Sequence, residues 1–471
     1  MKHSLFAKKI SKVRKPVGFD QFPQATTGFM QSLLKQISLE KLNSLNGRKN
    51  PSGRPAYKFS RSQLLVSILF HHIIRCTGTF AGHVFWLMGI KMSEGTLSER
   101  RQALPFEVFK ELLRHALSPL EEPSPEAFYQ GLKLVAMDGV EFNLANTPDI
   151  NRKLDKHHNQ HGKAAFAKLR CAVLLELLMH NPLAAVLGRE GESEWELSKQ
   201  LLEHLPNKCL LLGDQLYGCG ALIVRAQEVL NQRGGHFLLR VKLGSKVARV
   251  KERLPDGSAL VEVNARVPGA KNRIEARPLV REIRAVLKRK GQREVTVRFW
   301  TSLLDPEQWP AEELVRLYAC RWEHELYFRE LKSALNTNNL LRSQTVETAA
   351  QEVVAMIVCS AMIARERSQL APGEELSHRI SFLKVWELME PLWLTLLLGV
   401  DILSESQKQQ LVDRFYEMAS TLRMAKKRKR SCPRVVRTPL SKWPRKKRQR
   451  SRKGPFAIQV IQTLPAITER H

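Results

Sequence analysis

The sequence predicts an α/β protein built on a mixed central sheet, with helical regions before and after it. Three observations carry that expectation. The apolar pattern is helical from Ser60, then breaks after about residue 127 into short strand-like runs, two of which are interrupted or ended by an acid, Asp138 and Asp214. A second block of strand-like runs fills residues 235–305. Helical patterning then returns and lasts to about residue 420.

Residues 1–55 are polar, Lys-rich and punctuated by Pro and Gly, which fits a basic arm. Residues 56–122 read as a helical DNA-binding domain. "SRSQLLVSILFHHIIRC" has an N-cap serine and an apolar face, and "FAGHVFWLMGI" is a second helix. In "KMSEGTLSERRQAL", Ser93 caps a short helix whose outward positions include Thr96, Ser98, Arg100 and Arg101. Helix, turn and a capped helix carrying Thr and Arg suit a helix-turn-helix, with Arg100 and Arg101 reaching bases or phosphates. An ordinary helical hairpin has the same pattern.

"LSPLEEPSPEAFYQG" is a Pro-rich boundary. Beyond it, "LKLVAMDGVEFNL" reads as a strand, a turn at Asp138-Gly139 and a return strand. "LRCAVLLELLMHNPLAAVLGRE" gives two strands separated by an Asn-Pro turn at 181 and 182, "ESEWELSKQLLEHL" a helix, and "KCLLLGD" a buried strand ending on Asp214. A first core segment, 128–234, is thus followed by a basic β-rich insertion, 235–305, and by the rest of the core, 306–370, which carries a Glu-bearing helix. Helices at 371–424 and a basic tail at 425–471 complete the expected plan. Between Lys426 and Lys453 that tail has fifteen Lys or Arg and no acid, a density that suits nucleic acid.

Composition narrows the function. The 471 residues, 43% hydrophobic, suffice for two to four domains. A formal charge of +30, with a pI near 10.1, makes a polyanion the expected partner. Seven scattered cysteines with no CxxC pair read as reduced thiols, with neither zinc module nor disulfide framework. The basic start lacks the apolar stretch of a signal peptide, and "LWLTLLLGV" is too short to span a bilayer. A soluble, cytoplasmic protein with no membrane partner is expected.

The chemistry-bearing stretch is "YACRWEHELYFRELK", residues 318–332. At about 100° per residue, Tyr318, Arg321, Glu325 and Lys332 fall within roughly 60° of one helix face. A surface helix laced with ion pairs is the plain alternative. Trp322 lies beside that stripe, either as core or as a platform for a base. Asp138 and Asp214 interrupt or end apolar runs, where a charge needs compensation. Two Mg²⁺ ions about 4 Å apart, held by Asp138, Asp214 and Glu325, would provide it and would serve phosphodiester chemistry. "KHHNQHGK" reads as a polar loop, and Cys209, Cys219 and Trp300 as core residues.

Tyr-x2-Arg-x3-Glu-x6-Lys, here Tyr318, Arg321, Glu325 and Lys332, resembles the signature of the insertion sequence 4 family of bacterial DDE transposases. "MDGVEFNL", "LLLGDQLY" and "SCPRVVRTPLSKWPRKK" are similar to its two aspartate segments and its basic C-terminal segment. The resemblance runs from about residue 60 to the end. It implies a ribonuclease H-like fold with a β-rich insertion, and Asp138, Asp214 and Glu325 as catalytic metal ligands for Mg²⁺, with Mn²⁺ as substitute. Tyr318, Arg321, Trp322 and Lys332 would then bind DNA. It also implies cut-and-paste transposition through end nicking, hairpin formation and strand transfer, by a homodimer on double-stranded DNA in the bacterial nucleoid. A non-catalytic sequence-specific DNA-binding protein, or a decayed transposase, is the rival reading. One departure is plain: Asp214 is followed by Gln215-Leu216-Tyr217 where the family has Arg-Gly-Tyr or Arg-Gly-Phe. The tight turn lacks its glycine, and that arginine's phosphate contact is gone.

Overall fold

The computed structural model describes residues 59, 61–74, 78–120, 125–156, 158–159, 162–188, 192–266, 273–288, 293–332, 340–370, 380–399, 402–424 and 457–461. The expected arm 1–55, the basic run 426–453, His157, His161, Cys76 and Cys432 lie outside the described residues. In order the chain forms α1 (Arg61–Ile73), α2 (Phe80–Met88), α3 (Glu94–Gln102) and α4 (Phe106–Ala116), then β1 (Leu132–Asn143), β2 (Lys168–Glu176) and β3 (Asn181–Leu187). There follow α5 (Glu194–Leu202), β4 (Cys209–Gly213), α6 (Gly220–Gln232), β5 (His236–Arg240), β6 (Arg249–Arg253), β7 (Ala259–Glu262), β8 (Leu279–Lys288) and β9 (Val295–Thr301). The last elements are α7 (Ala311–Leu317), α8 (Trp322–Glu330), α9 (Val346–Gln369), α10 (Phe382–Leu398), α11 (Glu405–Ser420) and β10 (Ala457–Ile461).

Two compact units result, one from Met1–Ala127, Gly139–His204 and Glu323–Arg423, the other from Phe128–Asp138, Leu205–Trp322 and Met424–His471. The chain passes between them five times, after Ala127, Asp138, His204, Trp322 and Arg423, the second passage falling inside β1.

The first unit is organised by α9. Among the described residues this is the one helix long and apolar enough to cross a membrane, but 89% of its apolar window is buried inside the protein. Buried nearly all round, it is a core helix. It packs against α1, α4, α10 and β3, and Trp386 of α10 donates its indole N–H to the Ile73 carbonyl at 2.6 Å. The α2–α3 pair begins with Thr79, whose side chain caps Gly82 N, turns at Gly89 (φ 65), and restarts at Ser93, which caps Thr96 N. β2 and β3 form an antiparallel hairpin. Its turn is not the expected Asn-Pro pair: it lies at Leu177–His180, where Leu178 (φ 66) and His180 (φ 53) take the left-handed conformation. Asn181 and Pro182 instead open β3, and Asn181 donates to the Ser118 carbonyl and the Glu176 carboxylate.

The second unit carries a mixed sheet with strand order β1-β4-β5-β9-β8-β7-β6, and β10 also pairs with β8. β4 is parallel to both β1 and β5, each of which requires a crossover, and α6 supplies the one between β4 and β5; the remaining pairs are antiparallel. The 235–305 stretch expected as an insertion therefore contributes β5 and β9 directly to the ladder that holds β4. A second correction concerns Asp138-Gly139, which is no turn: β1 runs unbroken for 12 residues. Gly139 serves close packing, since a Cβ there would lie 2.3 Å from Cδ of Glu194 on α5.

Candidate active site

In the second unit the parallel register pairs Ala136 of β1 with Leu212 of β4. Two residues further along each strand come Asp138 and Asp214, so the two acids stand at one level of neighbouring strands. Arg321 places Nη1 3.2 Å from the Asp138 carboxylate, with both side chains about one-seventh exposed. Tyr318 donates its hydroxyl to the Gly213 carbonyl at 3.1 Å, packs on Phe299 at 4.7 Å, and is hydrogen-bonded to Arg321. Its phenol is pushed up to about 12, chiefly by burial, with the nearby Asp214 acting in the same direction and Arg321 against it. Tyr318 therefore serves as a neutral hydrogen-bonding group.

The turn after Asp214 forms without glycine. Leu216 N donates to the Asp214 carboxylate at 2.8 Å and Tyr217 N to the Asp214 carbonyl at 3.2 Å, an Asx-type turn in which Asp214 does the work expected of Gly. Buried Tyr217 anchors it, while Leu216 is exposed.

The expected single helical stripe is corrected by the structure. α7 stops at Leu317, Tyr318–Arg321 form a tight 3-10 turn, and α8 begins at Trp322. A 3-10 turn advances about 120° per residue, which breaks the 100° count. Trp322 is 58% exposed, so it is not core; Trp300 is, with its indole N–H on the Glu282 carboxylate at 2.9 Å.

In the first unit, Glu325 and Lys332 belong to the segment that begins with α8. His324, Tyr327, Phe328 and Leu331 are its buried face, at the i, i+3, i+4, i+7 spacing of an amphipathic helix, and Glu325 is on the exposed side. His324 Nε2 is 3.1 Å from the Val173 carbonyl and the Tyr327 hydroxyl 3.0 Å from Ser360 Oγ. The patterning gave no sign of a further clamp: His180, in the β2–β3 turn, lies 2.6 Å from the Glu330 carboxylate and 3.0 Å from that of Glu323. Burial favours the neutral ring, but the charge of Glu330 and the hydrogen bonds to both carboxylates outweigh it and hold the imidazolium above its ordinary range. Lys332, half-buried above the Phe142 ring, is lowered by burial and by Lys168, with Glu141 and Glu325 opposing.

Arg100 and Arg101 are not outward-facing. Arg100 donates to the Phe59 carbonyl at 2.9 Å. Arg101 reaches Gln351 and the Thr348 carbonyl on α9 and lies over the Phe80 ring. The Phe59 carbonyl engages Arg100 and α9 engages Arg101, while Thr96, Ser98 and Glu99 are among the α3 residues that face solvent.

Among the described residues no group of three or more His, Cys, Asp or Glu is gathered so as to hold a metal ion. The second unit offers a divalent cation two carboxylates of the right hard-oxygen type, and one of them, Asp138, is engaged by Arg321.

The family described as "Transposase DDE domain" matches residues 129–362, a range that contains Asp138, Asp214 and Glu325. The chain is 25% identical over 357 residues to transposase InsG for insertion sequence element IS4 of Escherichia coli (strain K12), covering 74% of this chain and 77% of that protein. Among solved structures, the piggyBac transposase synaptic complex with hairpin DNA aligns over 84% of each chain with a TM-score of 0.42 and 10% identity.

Proposed function

Because the chain belongs to the insertion sequence 4 family of DDE transposases, we propose that it moves an insertion sequence by cut and paste, nicking each end, closing the end as a hairpin and joining the freed 3′ ends to target DNA. The catalytic core is ribonuclease H-like in this reading, and the protein acts as a homodimer that pairs two ends on the nucleoid. The observation that carries it is the level placement of Asp138 and Asp214 on neighbouring strands, with Arg321 on the Asp138 carboxylate and Tyr318 on the Gly213 carbonyl beside Asp214.

Asp138, Asp214 and Glu325 are the residues that would hold Mg²⁺, two ions with Mn²⁺ as substitute. Bound there, the metal supplies activation of an attacking oxygen and neutralisation of charge at phosphorus. The chain's own side chains position the DNA. Arg321 can leave Asp138 for a phosphate, to which its planar fork is matched. Tyr318, neutral and tied to the Gly213 carbonyl and to Arg321, positions Arg321 without adding a charge that would repel a polyanion. Lys332 offers its ammonium to a neighbouring phosphate, and Trp322 is exposed enough to stack on a displaced base. α3 contacts the duplex through its exposed Thr96 and Ser98, since Arg100 and Arg101 are engaged within the protein.

The test is to incubate purified protein with end-bearing duplex and Mg²⁺ and to resolve products on a denaturing gel. Excised fragments and hairpin ends are expected. Binding without cleavage under all metal conditions would favour the non-catalytic reading.

A further inference from the structure

Glu141 lies three residues past Asp138 on β1, in the first unit, where Lys168 Nζ is 2.5 Å and Arg170 Nε 3.0 Å from its two carboxylate oxygens. Lys168 and Arg170 alternate on β2 and so share one face of the sheet. All three side chains are between 37% and 43% exposed. Burial would raise the Glu141 carboxyl, but hydrogen bonds from Lys168 and Arg170 and their charges outweigh it and hold it below the ordinary range. Lys332, above the Phe142 ring, feels Glu141 as an attraction and Lys168 as a repulsion. Lys168 and Arg170 thus converge on the one carboxylate of Glu141. Ion pairs this open to solvent add little to stability, so fold stability alone gives no reason to gather them. A phosphate diester offers oxygens that a lysine and an arginine can share, as they share this carboxylate.

We infer that Lys168 and Arg170 form a seat for a DNA backbone phosphate, and that the Glu141 carboxylate fills this seat and competes for it. The inference rests on the proposed transposase reading and extends its DNA contacts to a strand that the signature does not include. The seat holds DNA through the backbone, so it contributes equally to all sequences. Glu141 acts as a brake on binding, and its removal has the opposite sign from removal of the cations.

The experiment is fluorescence anisotropy of the full chain on a labelled duplex over a range of salt, with thermal melts of each variant. In Lys168→Gln/Arg170→Gln, the slope of log affinity against log salt should fall by about 0.9, one phosphate's worth. Glu141→Gln should bind several-fold more tightly than wild type at the same salt. Lys168→Arg/Arg170→Lys, which keeps both charges, should retain the wild-type slope, and this arm decides the matter if the neutralised variant fails to fold. A wild-type slope in the neutralised variant, a lost slope in the charge-preserving one, or no gain in Glu141→Gln overturns the seat while leaving the transposase reading intact. Failure of the wild type to bind any duplex overturns both.

Discussion

Replacing His180 by Asn removes the clamp that fastens α8 to the β2–β3 turn. Asn tolerates the positive φ of 53 at this position, so the backbone conformation is kept and the change falls on the side chain. The His180 side chain is 5% exposed, and its carboxylate partners Glu323 and Glu330 are 21% and 20% exposed. Breaking a well-buried pair costs about 3–5 kcal/mol, and the partial exposure of the acids places this one near the bottom of that range, about 3 kcal/mol. At roughly 2 °C per kcal/mol for a large domain, the melting temperature should fall by about 6 °C. The loss should depend on pH. His180 is raised above its ordinary 6.5, so its contribution is complete below that value and fades as pH rises through the raised one. Glu330 is lowered by the charge of His180 against the opposing effect of burial, so its contribution is present above 4.5 and fades as pH falls through the lowered value. Arg367 and Tyr327 also face the cluster, but neither changes charge in this window. Melts of wild type and His180→Asn at successive pH values should differ most between about pH 5 and 6.5. A difference that is constant with pH, or that grows in alkali, would refute the charged clamp.

Trp322→Ala should melt within about 0.5 kcal/mol of wild type, because the ring is exposed, yet lose hairpin formation while first-strand nicking persists; equal loss of both steps on gels would count against stacking. Arg101→Ala should destabilise the protein by about 1–3 kcal/mol in denaturant titrations, through its lost bonds to α9, without changing discrimination between an end and random DNA. Reduced discrimination at unchanged stability would restore Arg101 as a base reader. Lys332→Ala should slow cleavage on the order of 100-fold through misplacement of the strand, measured under single-turnover conditions with bound DNA.

The periodicity of the sequence gave the helical stretch from Ser60, the strands that carry Asp138 and Asp214, and the return to helix, because burial imposes those periods directly. It failed where glycine and proline were read as turns. Gly139 lies in mid-strand because Glu194 packs where a side chain would sit, and the β2–β3 turn falls on Leu178 and His180, which carry no turn signature. The helical count for Tyr318 to Lys332 failed because one 3-10 turn is invisible to a fixed 100° step. Arg100 and Arg101 depart from the expectation for another reason: polar residues on a short helix look solvent-facing until distant segments supply acceptors, here the Phe59 carbonyl for Arg100 and α9 for Arg101. His180 was illegible, since its partners lie about 150 residues away.

The central claim, that Asp138, Asp214 and Glu325 form one catalytic set, is tested most directly by measuring cleavage and binding on the same end-bearing duplex for Asp138→Ala, Asp214→Ala and Glu325→Ala. Each variant should lose cleavage while keeping specific end binding, because phosphates are held mainly by cations. Cleavage near the wild-type rate in any one of them, Asp214→Ala above all, would contradict the assignment.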